Sequence, residues 1–252
     1  MTEQTGSRRN FLRLAALGTM NLPALSSQAQ TVLARARQTS GQKTAAPPYP
    51  HEPSPTGKTS LANFWSRAGL LRRDIRPNMD GEGFAATGVA MDLIIRLVSA
   101  DRWQTPLAGR AVYVWHSDAK GEYSVYGRND ASYLRGIGVT GADGRVSFKS
   151  VFPGTYIGRA PHVHFEVYPS LDQMTKPDAC QLRSRILFPE TASREVYKSN
   201  LVYRASLKTF EGLVFGRPGA DLSLPQSSQQ TAMVSGDAKK GVRASISVPL
   251  RT

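Results

Sequence analysis

Apolar and polar residues alternate along most of this chain with the period of two that sets one row of side chains on one face of a strand. Residues 89–98 (VAMDLIIRLV), 110–115 (RAVYVW) and 145–151 (RVSFKSV) carry that pattern. So do 162–167 (HVHFEV), 183–188 (RSRILF) and 243–248 (RASISV). Gly141-Ala-Asp-Gly144 reads as a hairpin turn between two of these strands. Residues 189–197 (PETASREVY) combine an N-terminal Pro, early acidic residues and helical spacing, which predicts a short helix. Many short strands between turn signals predict an all-β fold, an antiparallel β-sandwich with a short helix and a long irregular N-terminal arm.

The first third of the chain has a different composition. Residues 45–50 (AAPPYP) and 53–57 (PSPTG) favour extended, partly polyproline backbone, and 61–71 has the spacing of one short helix. His51 in that Pro-rich stretch reads as solvated. Further upstream, Ser7-Arg8-Arg9-Asn10-Phe11-Leu12-Arg13 matches the twin-arginine export pattern. A broken apolar stretch over 14–25 follows, then Ser26-Ser27-Gln28-Ala29 as a small-residue cleavage site. That apolar stretch is too short to span a bilayer. The division expected is a signal peptide at 1–30, an arm or linker at 31–83 and a β-sandwich domain at 84–252, long enough for one core. The protein is expected outside the cytoplasm, periplasmic or extracellular, with no transmembrane segment.

Charge narrows the partners. Thirty-two Lys and Arg against nineteen Asp and Glu give a net charge of +13, a field that draws anions such as aromatic acids or acidic polymers. No motif of basic residues interleaved with stacking aromatics appears, so nucleic acid is not an expected partner. Cys180 is the single cysteine; it excludes an internal disulfide and carries no signature of a nucleophile.

The chemistry concentrates in residues 153–164 (PGTYIGRAPHVH). Pro153-Gly154 suits a tight turn. His162 and His164, two apart on a strand, point to one face, about 7 Å apart along it, and can converge on one metal ion. Tyr156 and Arg159 precede them, and Tyr123 lies in a comparable setting upstream. The plain alternative is two unrelated strand histidines and a packing tyrosine. Trp115 and His116 end a strand and read as braces for the loop carrying Tyr123. Tyr126 and Tyr133 read equally well as pocket lining or as core.

These motifs, taken in order, resemble the intradiol ring-cleavage (catechol) dioxygenases. The resemblance runs through Trp115-His116-x-Asp118, Gly121-x-Tyr123-Ser124, Tyr133-Leu134-Arg135-Gly136 and Thr140 to Gly144. It continues through Pro153 to His164 and ends near Leu187-Phe188-Pro189-Glu190. It implies a non-haem ferric ion held by Tyr123, Tyr156, His162 and His164, with hydroxide completing the shell. Phenolates favour the ferric state, and the metal's charge drives their ionisation. The substrate implied is a catechol-type ring that binds as a dianion, with O2 as co-substrate. Tyr156 would be displaced to act as a base, and Arg159 would stabilise developing negative charge. Two departures stand out: Arg185 falls where many members carry Gln, and 63–70 replaces the family's Glu-Gly-Pro-Tyr-Tyr segment. A non-catalytic exported module that binds phenolic or polysaccharide ligands is the second function class. The catechol derivative and the oligomeric state are left open.

Overall fold

The computed structural model describes residues 69–251, apart from 103, 126–130, 157–158 and 213–228. The expected signal peptide, His51, Tyr126 and most of the expected 61–71 helix therefore lie outside the described residues. Nine strands form two sheets, with two short α-helices among the described residues. One sheet has the order β3 (Arg135–Val139), β2 (Ala111–Trp115), β5 (His162–Tyr168), β6 (Leu182–Leu187), β7 (Gln229–Thr231). The other runs β4 (Arg145–Val151), β1 (Ala90–Ser99), β9 (Gly241–Leu250), β8 (Met233–Asp237). Most pairs are antiparallel, but β1–β9 and β6–β7 are parallel. The helices are α1 (Glu190–Ser199) and α2 (Arg204–Glu211).

Alternation does what the sequence requires of it. Leu93, Ile95 and Leu97 of β1 are fully buried, and they share one core with Val112 and Val114 of β2 and Val163 and Phe165 of β5. Every residue of β2 is buried, which alternation alone does not explain. The reason is that the outer face of the five-stranded sheet is covered too. Residues 69–77, placed in the arm by composition, run along the open edge of β3: Leu71 bridges to Ile137, and Ile137 N–H donates to Leu70 C=O at 2.8 Å. Arg72 pins the segment by donating to the carbonyls of Arg135, Pro77 and Ser132. On the outer face Leu70 and Met174 join Ala111, Tyr113, Trp115, Ile137 and Tyr168 in a second apolar cluster, with Met79 and Tyr123 packed against it.

Several expectations need correction. Gly141–Gly144 is a tight turn, with Gly144 N–H donating to Gly141 C=O, but it is not a hairpin between paired strands. It carries the chain from β3 in one sheet to β4 in the other, because β3 pairs with β2 and β4 with β1. The helix over 61–71 does not reach the described residues as a helix, since Gly69 sits in a turn and Leu71 pairs in extended form. The pattern missed β3, whose Gly136 and Gly138 leave no apolar row to read. A Cβ at Gly136 would collide with Ile75, so the position is what lets the arm lie close. It also missed β7, β8 and α2.

Candidate metal centre

The site is built on the outer face of the five-stranded sheet. His162 and His164 alternate with the core residues Val163 and Phe165 on β5, so both imidazoles face outward. Their Nε2 atoms are 3.0 Å apart, with the ring planes at 89°. Tyr123 Oη lies 3.3 Å from His162 Nε2. The Tyr156 ring meets Tyr123 edge-on at 5.9 Å and His162 at 5.9 Å. Two phenols and two imidazoles, drawn from three separate chain segments, thus converge. Among the described residues no group of three His, Cys, Asp or Glu does so.

Local structure fixes the tautomer and tilt of the rings. The Ala160 carbonyl accepts from His162 Nδ1–H at 2.7 Å, which leaves the Nε2 lone pair facing the site. That one lone pair faces both Tyr123 Oη and His164 Nε2. A single cation satisfies all three at once. The 3.0 Å spacing is what two donors take when both bind one ion at ~2.1 Å and at about right angles. Trp115, opposite His164 in the β2–β5 register, stacks on its ring at 4.8 Å and 10°. Tyr113 stacks behind Trp115 at 4.9 Å. The donor set therefore fits a metal ion, hard through its phenol oxygens and compatible with a first-row metal through its imidazoles.

Electrostatics agree with that use. Burial, then the charges of His162, Arg185, Arg135 and Arg159, hold the His164 imidazolium well below its ordinary range, so the ring is neutral. Burial, then the neighbouring Tyr156, pushes the Tyr123 phenol well up, while Arg135 and Arg185 pull it the other way. Tyr123 is therefore a neutral phenol until a cation is bound.

The loops bearing the phenols are sewn together. Asp118 ends the strand-to-loop transition: its Oδ1 accepts from Lys120 N–H and Glu122 N–H, and its Oδ2 from Tyr133 Oη–H at 3.3 Å. Tyr133 is thus fastened to the loop from within, 8% exposed. The Asp118 carbonyl accepts from Gly154 N–H at 2.9 Å, joining the Tyr123 loop to the Tyr156 loop. Gly121 has a φ of +90°, and a Cβ there would press on the Thr155 carbonyl. Arg159 is tied back to Tyr156, whose carbonyl accepts its N–H at 3.0 Å, and its own carbonyl accepts the Thr155 hydroxyl.

His116 is a brace: Nδ1–H donates to the Ser117 carbonyl at 2.8 Å, and Nε2 accepts from the Ser150 hydroxyl of β4 at 2.7 Å. Arg185 stands opposite His164 in the β5–β6 register, 1% exposed, so it shares the outer face with the histidines. Cys180 is inert: burial, with Glu166 nearby, pushes its thiol up to about 11.

Sequence reading gave no role to Arg135. It is buried on β3 and donates to the Ser124 hydroxyl and carbonyl and to Tyr113 Oη, so it grips the residue next to Tyr123. Its place in the Tyr133-Leu134-Arg135-Gly136 motif was the available signal.

Comparison with known proteins adds an independent line. Residues 64–175 match the model of a family described as dioxygenase. Catechol 1,2-dioxygenase 1 of Acinetobacter lwoffii is 30% identical over 132 residues, 44% of this chain. The match spans only 40% of that relative's length. A dioxygenase crystal structure superposes with a TM-score of 0.54 at 21% identity, over 72% of this chain and 86% of that one. The intradiol ring-cleavage dioxygenase from Tetranychus urticae gives 0.52 at 20% identity, over 72% and 87%. The two structures share the fold, and the family-model match and the Acinetobacter relative are similarities over less than half of this chain.

Proposed function

We propose that this chain is an exported non-haem Fe(III) intradiol dioxygenase. It opens a catechol-type ring between its two hydroxylated carbons and yields a muconate-type diacid. Both atoms of O2 enter the product, so catechol plus O2 balances the diacid with no external reductant. The convergence of Tyr123, Tyr156, His162 and His164 on one point carries this reading.

Those four side chains would hold the ion, which supplies charge to ionise phenols and to bind the substrate's two oxygens. The chain's own groups do the rest. His162 and His164 stay neutral donors, one through the Ala160 carbonyl and the other through burial among cations. Trp115 keeps the His164 ring in plane. Tyr156 leaves its place as substrate enters and takes a catechol proton at Oη. Arg159, held in a turn with Tyr156, faces negative charge that builds on the ring and its oxygens. Residues 69–77 cap the edge of the sheet at β3.

The export half of the proposal rests on Ser7–Arg13, and with it the division at about residues 30 and 83. No helix among the described residues is long and apolar enough to cross a membrane. The test is direct. Purified protein should contain about one ferric ion per chain and a visible band from phenolate-to-iron charge transfer, and Tyr123→Phe should lose both. A protein that takes up only zinc, or shows no band after iron loading, overturns the reading.

A further inference from the structure

Three buried hydroxyls from the helical region contact the segment that leads into Tyr156, one after another. Tyr203, between α1 and α2, donates to the Phe152 carbonyl at 2.8 Å and accepts from Val89 N–H at 3.0 Å. Tyr197 of α1 donates to the Pro153 carbonyl at 2.9 Å. Ser206 of α2 accepts from Thr155 N–H at 3.0 Å and donates to the Ala119 carbonyl at 2.8 Å. Exposure is 0% for Tyr203 and Ser206 and 2% for Tyr197. The Tyr197 and Tyr203 rings stack at 5.2 Å, and Phe210 closes on Tyr197 edge-on at 5.3 Å, so the hydroxyls have little freedom. Burial pushes both phenols up, so they remain donors at any working pH.

We propose that Tyr203, Tyr197 and Ser206 form a hydroxyl rail that positions Tyr156 relative to Tyr123. The rail holds the backbone at 152, 153 and 155 and stops one residue short of the phenol. Ser206 also reaches the other loop through Ala119, so one side chain sets the spacing of both phenols. Gly154 completes the device: a Cβ there would collide with the Ser206 hydroxyl and the Asp118 carbonyl. An anchored backbone suits a side chain that must leave and return to the same place. A loose backbone would let the loop drift each time the phenol is released. The helices, which belong to neither sheet, thereby act on the centre. These three are positioning residues, and the inference rests on Tyr156 being a ligand.

The test uses Tyr197→Phe and Ser206→Ala, each of which removes one hydroxyl and little volume. Amide hydrogen exchange reads the rail without any metal. Ser206→Ala should speed exchange at Thr155 and Tyr156 about tenfold, the scale of one lost buried hydrogen bond. In the iron-loaded protein both variants should keep iron and shift the charge-transfer band. That shift should vanish in a Tyr156→Phe background, where the positioned group no longer binds. Unchanged exchange with an unchanged band overturns the rail, and so does a band shift that persists in full beside Tyr156→Phe. A wild-type protein with no ferric band overturns the ligand assignment instead. The exchange result then still decides whether the rail holds the loop.

Discussion

Acidification should destabilise this domain through His116. The ring lies 1% exposed between the Ser117 carbonyl and the Ser150 hydroxyl, a setting that suits the neutral form with one N–H and one lone pair. Burial first, opposed by the bond to Ser117 and reinforced by the charges of His162 and Arg135, lowers its pKa from 6.5 to about 4. An unfolded chain takes up the proton near pH 6.5, whereas the folded chain waits until about pH 4. Between those values the unfolded state binds more protons, so stability is full above 6.5 and falls as pH drops through the window. At about 1.4 kcal/mol per unit, the loss between pH 6.5 and 4.5 is about 2.5 kcal/mol. Urea unfolding at pH 7 and 4.5, run on metal-free wild type and on His116→Gln, measures it. Gln keeps a donor and an acceptor but cannot titrate, so the variant should start lower at pH 7 and lose about 2.5 kcal/mol less on acidification. Parallel losses in the two proteins would refute the argument that this buried ring is the sensor.

Three further outcomes follow from the site. Arg159→Ala should keep iron and colour but lose roughly 10²–10³ in turnover, the scale of one preorganised charge, read by O2 uptake beside iron content. Arg185→Gln should lower the kcat/KM ratio of protocatechuate to catechol about tenfold, since a guanidinium opposite His164 can pair with a ring carboxylate. An unchanged ratio would show that this charge does not meet the substrate. Arg8→Lys with Arg9→Lys should leave the precursor in the cytoplasm, scored by fractionation, and normal export would dismiss the twin-arginine reading.

What could be read from sequence was what neighbours along the chain determine. A period of two announced β1, β2, β4, β5, β6 and β9 to within about two residues, because each inward side chain must meet the core wherever the strand sits. The same period put His162 and His164 on one face, and the ordered motifs marked Tyr123, Tyr156 and Arg159 as a set. What the sequence could not supply depends on partners far apart in the chain. The outer face of β2 is covered by residues far from it in the chain, Leu70 and Met174 among them, and no local pattern in 111–115 records that. The turn at 141–144 looks like any hairpin, yet its two strands belong to different sheets because each finds a better-matched neighbour elsewhere. Arg185 became interpretable only once β5–β6 pairing set it opposite His164. Ser206 is 83 residues from Tyr123 and 50 from Tyr156, and in sequence it is an ordinary serine of a short helix. Its part in spacing the two phenols exists only because the helical region folds back onto the loop before Tyr156. A hydrogen bond is specified by where two groups meet, which the sheet order and the helix docking decide.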